Sequence, residues 1–60
     1  MMNVQRAKEI AQSPEMIDVT YLGEKIYIQH VDEKNETVTV FPLDNRENEM
    51  VVNVAHLKEE

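Results

Sequence analysis

From residue 16 onward, apolar positions recur with a period of two. Met16 to Leu22 carries Ile17, Val19 and Tyr21 in alternation with Asp18 and Thr20, the signature of a strand with one buried face. Lys25 to Val31 places Ile26 and Ile28 on one face, then breaks parity at Val31. A bulge near Gln29 and His30 restores Val31 to the core and bends the strand, as in small barrels. Thr37 to Phe41 points Val38 and Val40 inward, leaving Thr37, Thr39 and Phe41 outward or partly covered by a helix. Met50, Val52 and Val54 form the last inward set.

The connections between these runs are equally readable. Gly23 is the single glycine, so Leu22-Gly23-Glu24-Lys25 is the turn that takes positive φ and closes a tight hairpin. Asp32 to Glu36 is a polar loop in which Asn35 is expected to accept the left-handed conformation. Pro42 lacks a ladder donor, so its strand ends there or lies at an edge. Leu43 to Glu49 is a second polar connection, and Ala55-His56-Leu57 reads as a closing turn that plugs Leu57 into the barrel end.

Before residue 16 the period changes to 3.6. Val4, Ala7, Ile10 and Ala11 share one helical face, while Gln5, Arg6, Lys8, Glu9 and Gln12 fall outside it. Asn3 is the expected N-cap. Pro14 disfavours helical geometry at Ser13, so the helix ends near Gln12, and Ser13-Pro14-Glu15 is read as the start of one further turn. A helix of this length does not persist alone and must dock on the sheet or on a second subunit. The fold expected is mainly β (α+β): a single domain over 1–60, with a short N-terminal helix at about 3–12. A strongly bent antiparallel sheet of four or five strands follows at about 16–57, an SH3-like barrel.

Composition limits the chemistry. There is no cysteine among 60 residues, which removes disulfides and thiolate zinc sites. No apolar run approaches the roughly 20 residues of a membrane span, and no charged-then-apolar leader opens the chain; a soluble protein of the reducing interior is expected. Small domains have thin cores and often oligomerise. Twelve acids against six bases give a net charge of −6. Residues 16–60 hold ten of the acids and only Lys25, Lys34, Arg46 and Lys58 as bases, a balance that disfavours nucleic acid and anionic membranes alike.

At each candidate site a structural or solvated role outweighs a chemical one. His30 and His56 are far apart in sequence, and a nucleophile would have to be Ser13 or a threonine; both histidines are read as structural or surface residues. Asp44-Asn45-Arg46-Glu47-Asn48-Glu49 superficially suggests a calcium loop, but it lacks the glycine and terminal glutamate at the required spacing and puts arginine at a ligand position. It is read as a solvated loop, with weak divalent binding as the alternative. The carboxylate pairs Asp32-Glu33 and Glu47-Glu49 lie in loops without an apolar pocket to raise a pKa. Tyr21, Tyr27 and Phe41 are too few, and too surrounded by acids, for a base-stacking platform. Core or dimer packing suits them better. No catalytic, cofactor or metal residues are assigned, and no cofactor is expected.

Several segments together carry a family resemblance. They are Asn3-Val4-Gln5-Arg6-Ala7-Lys8-Glu9-Ile10, Ser13-Pro14, Asp18-Val19-Thr20-Tyr21, Gly23, Ile26-Tyr27-Ile28, Val31-Asp32-Glu33, Thr37-Val38-Thr39-Val40, Pro42-Leu43 and Leu57. The chain resembles the H-type small acid-soluble spore proteins over nearly its whole length. That resemblance implies a minor protein of the spore core, made in the forespore, and names no reaction. The DNA-coating α/β-type spore proteins share only the label and the compartment, since their protease-site pattern Thr-Glu-Phe-Ala-Ser-Glu is absent. Glu36 stands where a hairpin of this type commonly has glycine. The resulting expectation is a non-enzymatic structural or interaction protein, self-associating as a homodimer. A calcium-binding acidic protein is one alternative. Nucleic-acid binding through Arg6, Lys8 and Lys25 is the less favoured one.

Overall fold

The computed structural model describes residues 2–60. Helix α1 spans Val4–Gln12, followed by β1 (Val19–Tyr21), β2 (Glu24–Asp32), β3 (Thr37–Pro42) and β4 (Met50–Asn53). A 3-10 turn (Val54–His56) then leads into β5 (Leu57–Glu59). All strand pairs are antiparallel, in the order β4-β3-β2-β1-β5. The first four strands are a meander, and β5 returns to the outer side of β1, giving a five-stranded half-barrel of SH3-like order.

The helix begins where its cap allows. The Asn3 side chain accepts a hydrogen bond from the Arg6 N–H at 2.8 Å, which satisfies one of the donors a helix start leaves free. Ala7 and Ile10 are buried against the sheet and Val4 packs at the margin of the core. Ala11, expected on that face, is exposed; so short a helix touches the sheet along a narrow line, and Ala11 lies at its rim. The further turn expected at Ser13 does not form. Ser13 is extended, and its hydroxyl accepts the Glu15 N–H at 3.1 Å, so the segment bends without entering a helix.

The bulge falls where the parity break placed it. Ile28 pairs with Val40 and His30 with Thr39, leaving Gln29 as the extra residue, after which Val31 faces Val38. Tyr21 pairs with Glu24, so the first hairpin has two central residues, Leu22 (φ 52°) and Gly23 (φ 80°). That turn matches the right-handed twist of the flanking strands. In the next loop the left-handed residue is Glu36 (φ 56°) and not Asn35. The cause is Asp32, whose carboxylate accepts the N–H groups of Lys34 and Asn35 at 3.0 and 3.2 Å and the Asn35 side-chain amide at 2.9 Å. Those bonds hold Asn35 in the body of the turn and pass the positive φ to its successor.

Pro42 closes β3 opposite Ile26. Leu43 N–H donates to the Lys25 carbonyl at 3.2 Å, which makes Lys25/Leu43 and Tyr27/Phe41 the hydrogen-bonded pairs. The donor Pro42 lacks would therefore point away from β2, towards the side where β4 has already ended.

The core joins Met2, Ala7 and Ile10 to Val19, Ile26, Ile28, Val38, Val40, Val52, Val54 and Leu57. Leu57 is 2% exposed, so the closing turn seats it as expected, and the chain then continues as β5. Two outward residues are nevertheless buried. Thr20 lies on β1 between β2 and β5, opposite Lys25 and Lys58, and its hydroxyl donates towards the Lys58 carbonyl and the Glu60 carboxylate at 3.5 and 3.4 Å. Phe41 is covered by Tyr27, with ring centroids 5.3 Å apart, and by the Arg46 guanidinium at 5.6 Å, rather than by the helix.

Candidate functional site

The residues singled out for chemistry are not brought together. His30 is exposed beside the bulge and His56 is exposed in the 3-10 turn. Among the described residues no hydrogen bond joins either histidine to Ser13 or to a threonine, and no three acidic or histidine side chains converge on a common point. Asp44 to Glu49 is exposed throughout, folded by consecutive turns in which Asn45 N–H donates to Pro42 O and Asn48 N–H to Asn45 O. The aromatic residues divide: Tyr21 packs against the core, while Tyr27 and Phe41 stack on the outer face.

Two of the three bases proposed as a patch, Arg6 and Lys8, are engaged by carboxylates. Arg6 donates from Nε and Nη2 to the two carboxylate oxygens of Glu59 at 2.8 and 2.6 Å, and from Nη1 to Glu9 at 3.1 Å. These bonds hold the Arg6 guanidinium above its ordinary pKa and the Glu59 carboxyl below its own. Lys8 Nζ lies 3.1 Å from Glu33, tying the helix to the second hairpin loop. Asp32 is likewise held below the usual carboxylate range, first by the Asn35 side chain and then by backbone N–H groups. Sequence reasoning did not find the Arg6–Glu59 pair. Its members are 53 positions apart, and only the return of β5 to β1 brings them together.

One apolar groove opens between the end of α1, the 13–17 segment and β1–β2. It encloses about 180 Å³ and is lined by residues including Ile10, Pro14, Met16, Ile17 and Tyr27. Pockets that take small-molecule ligands run to roughly 300–1,000 Å³, so this groove has room for a side chain more than for a substrate. No helix is long and apolar enough to cross a membrane among the described residues.

The two sheet edges differ in character. β5 is polar beyond Leu57, with Lys58 and Glu59 exposed and Arg6 clamped on Glu59. β4 reads Met-Val-Val-Asn without charge or proline, and Val51 on it is 67% exposed. Sequence patterning placed Val51 outward without showing that it stands on an edge. The one available signal was the lack of charge in its run.

Comparison with known proteins gives the same family that the residue pattern suggests. The model of the small acid-soluble spore protein H family matches residues 2–59. The chain is 62% identical over 58 residues to the small, acid-soluble spore protein H of Bacillus licheniformis, covering 97% of this chain and 98% of that protein. It is 58% identical to the protein of the same name from Halalkalibacterium halodurans, covering 98% of each chain. With the Bacillus subtilis protein it shares 52% identity over 98% of this chain and 100% of the relative. No solved structure matches significantly. With its family model spanning nearly every residue and relatives similar from end to end, the chain belongs to the small acid-soluble spore protein H family.

Proposed function

We propose that this H-type spore protein is a non-enzymatic structural component of the spore core, made in the forespore, that works by association and first of all with copies of itself. The observation that carries this reading is how the polar side chains are used. Asn3, Ser13, Asp32 and Asn53 cap or turn the backbone, and Arg6 and Lys8 are held by carboxylates. Little directed chemistry is left for a substrate, whereas an uncharged strand edge remains open.

A second reading, an acidic protein that holds calcium, is favoured by the net charge of −6 and by the exposed Asp44, Glu47 and Glu49 of one loop. Nucleic-acid binding is weaker still, because two of its three proposed bases are neutralised by carboxylates.

Three measurements on the purified chain separate these readings. Self-association predicts a mass that rises with protein concentration, with melting indifferent to calcium and no salt-sensitive retention on DNA. Calcium-dependent melting at constant mass would replace it with the cation reading. Salt-sensitive DNA retention would replace it with the third.

A further inference from the structure

The register of β4 specifies how a second copy would join it. Val54 N–H donates to the Glu36 carbonyl at 3.1 Å, continuing the ladder in which Asn53 faces Thr37, Val52 faces Val38 and Val51 faces Thr39. In an antiparallel pair, hydrogen-bonded and non-hydrogen-bonded positions alternate. Val54, Val52 and Met50 therefore turn their N–H and C=O groups towards β3. Val51 and Asn53 turn theirs outward, where β4 ends the sheet.

We infer that two copies of this chain pair through β4, antiparallel about a two-fold axis at Val51. The proposal rests on the self-association reading and names its surface. Val51 N–H of each copy donates to Val51 C=O of the other, and on either side Asn53 stands opposite Glu49 of the second copy. Residues directly opposite share a face, so the two exposed Val51 side chains cover each other. The Asn53 amide, whose oxygen already accepts the Ala55 N–H at 2.9 Å, has its NH₂ free to meet the Glu49 carboxylate.

Three features select a second copy over another occupant. An antiparallel edge is self-complementary under a two-fold axis. β4 lacks the lysines, prolines and bulges with which proteins blunt exposed edges, while the opposite edge is charged and clamped by Arg6. An uncharged strand also suits a partner strand that is itself uncharged, and among the described strands only β4 is free of charged residues apart from the three-residue β1, which is paired on both sides, and β3, which is interior. A contact five residues long on each copy buries less than the roughly 1,200 Å² of a stable complex. The pairing is accordingly weak, and salt strengthens it by screening two chains of charge −6.

The test is sedimentation of the full chain over a wide concentration range, beside Val51→Lys and Val51→Cys. Because Val51 is exposed, both variants are expected to keep the wild-type far-ultraviolet dichroism and melting temperature. Val51→Lys should weaken dimerisation by about tenfold or more. The natural chain has no cysteine, and Cα atoms of a hydrogen-bonded antiparallel pair lie about 5.5 Å apart, within disulfide range. Oxidised Val51→Cys should therefore form a covalent dimer, and a Met16→Cys control should not. If mass rises with concentration but Val51→Lys dimerises as well as wild type and Val51→Cys does not cross-link, self-association stands and β4 pairing is overturned. A mass that stays monomeric at every concentration overturns both.

Discussion

Arg6 on α1 grips Glu59 on β5 through two parallel hydrogen bonds of 2.8 and 2.6 Å, so the first helix is fastened to the last strand. Paired bonds of this geometry are the stronger kind of ion contact, although both side chains remain partly open to water. The pair fixes the amino-terminal helix over the edge strand and leaves that edge charged.

A pH dependence follows with a definite sign. Glu59 is held below its ordinary 4.5 by Arg6, so its contribution is fully present above about 4.5 and is lost as pH falls through the lower folded value. Asp32 acts in the same direction from an ordinary 3.8. Arg6→Gln should melt below wild type at neutral pH. The gap should close under acid once Glu59 is protonated in both proteins, as thermal melts at stepped pH would record. A gap that widens under acid would contradict the assignment.

Leu22 occupies a left-handed position at φ 52° while 85% exposed, so it bears backbone strain and loses little burial when replaced. Leu22→Asn gives the turn its preferred Asn-Gly pair and should stabilise the fold by about 1 kcal/mol, raising the melting temperature by roughly 4–8 °C in a domain of this size. Glu36→Gly should act in the same direction and more weakly, because glycine also gains freedom in the unfolded chain.

Leu57 tests the closing plug. Truncating a buried leucine to alanine costs about 2–5 kcal/mol, against a total on the order of 3–9 kcal/mol for 60 residues at about 0.05–0.15 kcal/mol each. Leu57→Ala should abolish cooperative melting or lower its midpoint steeply. Val51→Ala, on the exposed edge, should stay within about 0.5 kcal/mol of wild type. Chemical denaturation of the two variants side by side distinguishes a core position from a surface one.

Much of this fold was legible because it is written in local signals. The Asn3 cap, the Gly23 turn, the bulge at Gln29 and the seating of Leu57 each depend on a few neighbouring residues or on a change of period. What escaped depended on partners distant in sequence or on competition within a loop. Asn35 lost the left-handed position to Glu36 because the Asp32 carboxylate claimed it first. Thr20 is buried on a strand paired on both sides, by β2 and by the late-returning β5. The Lys58-Glu59 segment of β5 carries no β-branched residue and becomes a strand only because β1 offers a register. The edge at Val51 was hidden for the same reason, since alternation gives the face of a strand and not its place in the sheet.

Amide hydrogen exchange of the full chain as a function of concentration reads the β4 edge residue by residue. Pairing predicts that the Val51 and Asn53 amides, which point outward in one copy, become protected as concentration rises, while the Val52 amide, already bonded to Val38, changes little. If Val51 and Asn53 exchange equally fast at every concentration, the two-fold pairing through β4 is wrong.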